Sequence, residues 1–156
     1  MEPAMHPALE PVQFLLGTWT GSGTGAYPTI DDFAYREEVT FSHYGRPLLA
    51  YAQETWTPEE GAPMHREVGF WRPQRDGRME VVLAHPFGVT EILEGELIER
   101  TIELKSTALA STSSAKTIGA VTRTYTCTGD TLRYEIEMAA AGQPLQYHLR
   151  AELHRQ

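Results

Sequence analysis

Most of the chain beyond residue 33 alternates apolar and polar residues with period two, the signature of half-buried strands. The strongest run sets Leu132, Tyr134, Ile136 and Met138 against Arg133, Glu135 and Glu137. Met79, Val81 and Leu83 repeat the pattern, and Leu49, Tyr51 and Gln53 do so more weakly. Further strand-like runs cover Val89 to Leu97, Thr101 to Lys105, Ile118 to Cys127 and Leu145 to Leu153. Turn chemistry separates them, at Glu60-Gly61, Asp76-Gly77, Glu94-Gly95, Gly129-Asp130 and Gly142-Gln143-Pro144. Glycine, and to a lesser degree Asp, tolerates the positive φ that tight hairpins need. Short strands at regular spacing predict an antiparallel all-β sandwich or barrel. Only Pro7 to Leu16 reads otherwise, as a short helical turn burying Phe14, Leu15 and Leu16. With 156 residues and no internal repeat, the chain reads as a single domain over residues 1–156.

Charge narrows the partners. Thirteen Lys and Arg against 21 Asp and Glu leave a formal net charge of −8. Nucleic-acid affinity comes largely from basic side chains displacing counterions, so no nucleic-acid partner is expected. Cys127 stands alone, which excludes an intrachain disulfide and a CxxC metal or redox motif. No apolar run approaches the ~18 residues of a membrane span. The acidic start Met1-Glu2-Pro3 lacks the apolar stretch of a secretory signal. The expectation is a cytoplasmic protein with no membrane partner.

The segment Gly17-Thr18-Trp19-Thr20-Gly21-Ser22-Gly23-Thr24-Gly25 strips side chains from alternate positions of one strand. That allows close approach of a backbone or a flat ligand, and lets the strand bend. No Lys-Ser/Thr and no helical pattern follow, which weakens a phosphate-loop reading. In small barrels such glycines also form corners, with a Trp plugging one end.

Taken together, these residues resemble the nitrobindin family. Gly17, Trp19, Gly21 and Gly23 match its GxWxGxG signature, continued by Tyr27-Pro28-Thr29-Ile30. The likeness runs on through Pro63-Met64-His65-Arg66-Glu67-Val68-Gly69-Phe70-Trp71-Arg72-Pro73 and Gly88-Val89-Thr90-Glu91-Ile92-Leu93-Glu94-Gly95. It resumes at Val121-Thr122-Arg123-Thr124-Tyr125 and at Pro144-Leu145-Gln146-Tyr147-His148-Leu149, so nearly the whole chain is covered. The resemblance implies a roughly ten-stranded antiparallel barrel, akin to fatty-acid-binding proteins and lipocalins, holding haem b. It implies isomerisation of peroxynitrite to nitrate and binding of nitric oxide, with His148 as the iron ligand and hence the catalytic residue. Met64 and His65 would border the distal face, and Thr29 and Ile30 the porphyrin. Lys116 and Arg123 are candidates to pair with propionates, although each would ordinarily be a surface cation.

Periodicity is at odds with His148. Leu145, Tyr147, Leu149, Ala151 and Leu153 share one phase, while Gln146, His148, Arg150 and Glu152 share the polar one. Strict alternation sends His148 to solvent. Either a bulge turns it inward, or the apolar phase faces a second subunit in a homodimer. Among the other histidines, His6 and His154 lie near the termini, and His43 reads as a surface residue at a strand end. His65 sits in a Gly/Pro-rich loop. His85 continues the inward phase of Met79, Val81 and Leu83, which makes it either a distal polar group or, the favoured reading, a buried histidine bonded to a backbone carbonyl. No HExxH, His/Cys cluster or GxSxG appears. The alternative function is a non-enzymatic carrier or sensor for fatty acid, another lipophile, or haem and nitric oxide. Few basic residues beside Arg123 fall on inward phases, which disfavours fatty acid.

Overall fold

The computed structural model describes all 156 residues. Ten strands follow one another antiparallel: β1 Gly17–Tyr27, β2 Ile30–Ser42, β3 Leu49–Trp56, β4 Pro63–Pro73, β5 Arg78–His85, β6 Val89–Ile98, β7 Thr101–Ser111, β8 Ile118–Thr128, β9 Thr131–Ala140 and β10 Gln146–Arg155. Each pairs with its sequence neighbours, and β1 pairs with β10, so the sheet closes on itself. Closure leaves no free edge. Alternation maps onto burial as expected: Leu132, Tyr134 and Ile136 of β9 are buried, and Arg133 and Glu135 are exposed. No helix is long and apolar enough to cross a membrane.

The two ends of the barrel differ. A 3₁₀ helix, Pro7–Leu15, places Leu9, Val12 and Leu15 in the core at one end. Trp19 is fully buried beneath it, its indole N–H donating to the Leu15 carbonyl at 2.8 Å. Trp71 packs edge-on against Tyr125 at 4.9 Å and against Phe41 at 5.2 Å, filling the adjoining interior. The opposite end is ringed by the β1–β2, β3–β4, β5–β6, β7–β8 and β9–β10 connections, and there the interior is hollow.

The alternate glycines of β1 make room for protein. A Cβ on Gly21 would fall on the Glu152 carbonyl of β10. On Gly23 and Gly25 it would strike the rings of Tyr35 and Phe33, their cross-strand partners on β2. The rings fold over the bare backbone, as aromatics do over strand glycines. Tyr35 cannot swing away freely, because its hydroxyl is bonded to that of Tyr134 at 2.7 Å. Gly23→Val is therefore expected to lower unfolding stability by about 1–3 kcal/mol, read from urea transitions. An unchanged midpoint would show that the ring has another place to go.

Candidate functional site

The alternation of β10 breaks at His148. Its pairing with β9 steps from Tyr147↔Glu137 to Leu149↔Ile136, leaving His148 unpaired in a β-bulge. The register of β1 with β2 also shifts between Gly25 and Tyr27, at Ala26. The β1–β10 ladder ends at Gly25↔Leu149, and one position further the strands are joined by a side chain. His148 Nδ1 lies 3.1 Å from the Ala26 carbonyl. A carbonyl only accepts, so Nδ1 carries the proton and Nε2 keeps its lone pair. The bulge thus turns His148 inward without a second subunit. Tyr147 goes to the outer face, where its hydroxyl donates to the Thr24 carbonyl and its ring lies under Arg150.

His148 faces a cavity of about 350 Å³. Phe33, Met64, Phe87, Ile118, Met138 and Leu149 contribute its apolar wall. The Tyr27 ring stands edge-on to the imidazole at 5.4 Å and steadies it. Burial lowers the His148 pKa, with the Ala26 bond pulling the other way, so the ring is neutral at physiological pH. A second, more open groove of about 700 Å³ shares Ile30, Met138 and His148, and adds Thr29 and Lys116. The residues proposed from the resemblance thus come to one end of the barrel: Ile30, Met64, His65, Arg123 and His148 line the cavity, and Thr29 and Lys116 the groove outside. His65 belongs to strand β4 and is half-buried, not in a loop as the sequence suggested. A neutral imidazole with a free Nε2, opening on an apolar slot with a cation at its mouth, would hold the iron of a haem.

The floor of the cavity is polar, and the sequence reading missed most of it. Arg123 is a buried ion, not a surface cation. Its NH1 and NH2 donate to Glu67 at 2.7 and 3.1 Å, and its Nε and NH2 donate to Glu91 at 3.1 and 2.9 Å. NH1 also donates to the Tyr125 hydroxyl at 3.2 Å, so all five donors are used and none is left for a propionate. Burial pushes Glu67 and Glu91 up, but the Arg123 charge overrides it and holds both below the usual carboxylate range. His85 is half-buried, with its side chain 7% exposed, and its partners are side chains and not a backbone carbonyl: Nε2 lies 2.8 Å from Glu91 and Nδ1 3.2 Å from His65. The usable signal was one charged residue interrupting an apolar phase, at Glu67 before Gly69 and Trp71 and at Glu91 between Val89 and Leu93.

Beside this group, Glu37 accepts from Gln53 at 2.6 Å and from Tyr134 at 3.0 Å. Burial pushes its carboxyl up to about 7 from an ordinary 4.5, and those two bonds only partly offset it. A carboxyl raised in the folded state contributes stability below its unfolded pKa, and that contribution is lost as pH rises through the folded one. Glu37→Gln is therefore expected to gain on wild type between about pH 5 and pH 8. The gain should be on the order of 2 kcal/mol in urea unfolding. A difference independent of pH would show that Glu37 is ionised throughout.

With this geometry the chain matches, over residues 8–155, the family model described as THAP4-like, haem-binding β-barrel domain. It is 50% identical to peroxynitrite isomerase 1 of Mycolicibacterium paratuberculosis, across 100% of this chain and 99% of that protein. It is 45% identical to the peroxynitrite isomerase of Nocardia farcinica, covering 97% of this chain and 93% of that one. The crystal structure of Rv2717c from M. tuberculosis superposes with a TM-score of 0.93 at 45% identity, over 98% and 99% of the two chains. These matches span nearly the whole chain, so the chain belongs to the THAP4-like haem-binding β-barrel family, that of the nitrobindins.

Proposed function

We propose that this protein holds haem b through His148 Nε2, isomerises peroxynitrite to nitrate and binds nitric oxide at the same centre. The observation that carries this reading is the inward, Nδ1-anchored imidazole of His148, together with relatives named peroxynitrite isomerase at 45–50% identity. Bound haem would supply the iron centre at which the oxidant rearranges. Peroxynitrite and nitrate have the same atoms and charge, so no side chain need deliver a net proton. The task of the chain is to bind, orient and exclude water. His148 is held in one tautomer and direction by Ala26 and Tyr27. Phe33, Met64, Ile118 and Leu149 keep water from the reacting volume. Thr29 and Lys116 stand in the outer groove, where haem carboxylates would meet them. Met64 and His65 border the cavity from β4. A cytoplasmic site of action accords with the one unpaired cysteine, Cys127.

Losing a metal ligand should exceed the about 10–100-fold cost of losing a residue that merely orients one. His148→Ala is therefore expected to lose at least about 100-fold in hemin affinity and, with it, peroxynitrite isomerisation. His43→Ala and His154→Ala should retain both. Hemin titration by Soret absorbance, and nitrate yield after stopped-flow mixing, read the two together. Wild type that takes up hemin but leaves peroxynitrite decay unaltered would make this a carrier or sensor.

A homodimer forms part of the proposal. The outer faces of β4, β5 and β6 carry Val68, Phe70, Val82 and Ile92, exposed by 46, 44, 41 and 41%. Val68, Phe70 and Val82 are joined by cross-strand pairs to Ala52, Ala50, Ala84 and Ile92, forming one apolar surface. Such a patch on a closed barrel suits a two-fold contact with a second copy. Phe70→Glu is expected to halve the mass seen by light scattering while leaving hemin uptake intact. A wild type that is monomeric at high concentration would overturn this assembly.

A further inference from the structure

Three side-chain atoms in the cavity face one another. His65 Nε2 lies 3.2 Å from His85 Nδ1 and 3.6 Å from Glu67 Oε2, and His85 Nδ1 lies 3.5 Å from Glu67 Oε2. These are the edges of a metal-coordination face. Ligands at 2.0–2.1 Å around a tetrahedral ion stand about 3.3 Å apart. Two imidazoles and one carboxylate form the donor set of catalytic zinc and non-haem iron(II) sites, which keep a position open.

The surroundings match a metal site in two independent ways. His85 Nε2 meets a carboxylate, Glu91, at 2.8 Å, so Nε2 carries a proton, and in the neutral ring Nδ1 presents a lone pair to the centre of the triangle. A carboxylate behind a ligating imidazole is the usual support of a metal-bound histidine. Glu67 is likewise fixed from behind, accepting from Tyr51 at 2.7 Å and from Arg123. The second argument is charge. The buried carboxylates of Glu67 and Glu91 face a single guanidinium, Arg123, which leaves one negative charge for a proton or a metal ion at the His65–His85 pair to balance. Isolated buried charge is costly, and a cation at the three-atom face lies directly on it.

We propose that His65, Glu67 and His85 form a second metal site, distinct from His148, that takes a divalent first-row transition ion and leaves one coordination position open to the cavity. Its ligands lie on β4 and β5 and not on β10, so it is separable from the His148 ligand, while His65 also borders the cavity proposed for haem. The ion displaces the His65–His85 hydrogen bond, and His65 moves its ring proton to Nδ1 as Nε2 becomes a ligand.

The test uses untagged full-length protein, with and without hemin, dialysed to equilibrium against zinc and assayed for metal per chain. One zinc per chain is expected in both forms. His65→Gln and His85→Gln should each weaken retention at least about 100-fold, with far-UV spectra confirming that both fold. His148→Ala should keep its zinc while losing hemin, so the two readings fail separately. In nitrogen-labelled protein, zinc should move the ring resonances of His65 and His85 and leave those of His148 in place. Equal retention by wild type and both glutamine variants would overturn the site, leaving a hydrogen-bonded cluster that holds a proton. So would release of zinc on hemin addition, because the ion would then occupy the cofactor's own place.

Discussion

A sheet of ten strands has two edges, and here those edges are one seam, in which Gly21 and Gly23 of β1 lie against Leu153 and Ala151 of β10. Everything functional hangs on how that seam ends. While the glycines last, the β10 backbone and the rings of Tyr35 and Phe33 can crowd against β1. Where they stop, after Gly25, both strands lose register within two residues, and the imidazole of His148 bonds the carbonyl that a ladder N–H would otherwise meet. The same local failure of pairing ends the filled part of the barrel and aims a nitrogen lone pair into its hollow part.

The interior is consequently divided by chemistry. Toward the 3₁₀ helix it is aromatic and aliphatic, and needs nothing beyond packing. Toward the mouth, a layer of Glu37, Gln53, Glu67, Glu91 and Arg123 is buried, each with a side-chain partner. Replacing such a buried ion pair by apolar residues often costs nothing or stabilises, whereas deleting one member costs about 3–5 kcal/mol. A layer that natural packing could dispense with, yet that cannot be dismantled singly, marks a floor kept for what lies above it.

Most strands and hairpins and the plugging turn were legible because each depends on residues near one another in sequence, whereas Glu94-Gly95, expected as a turn, lies inside β6 and the chain turns at Glu99-Arg100 instead. Leu132 to Met138 declares its two faces, and Asp76-Gly77 declares its turn. For His148 the same alternation pointed to the polar phase, and a bulge was one of two ways to turn it inward. A bulge depends on pairing with β9 and β1, so nothing in Gln146-Tyr147-His148-Leu149 announces it. Only the family likeness pointed to this residue. Arg123 failed for a different reason: residues of its kind are usually solvated, and its partners Glu67 and Glu91 lie 56 and 32 positions away. Its phase with Val121 and Tyr125 was the better guide.

The bond between His148 and Ala26 joins residues 122 positions apart, on the two strands that close the barrel. Contacts so distant in sequence carry a large loop-closure cost, and such topologies fold slowly. The ligand geometry therefore exists only once the least local pairing of the molecule is complete. A cofactor recognising that geometry binds the closed form alone, and stabilises it in proportion to the logarithm of its free concentration. Opening the seam would release the imidazole and admit water in one motion. Cofactor loss and unzipping of the β1–β10 edge then become two views of a single equilibrium.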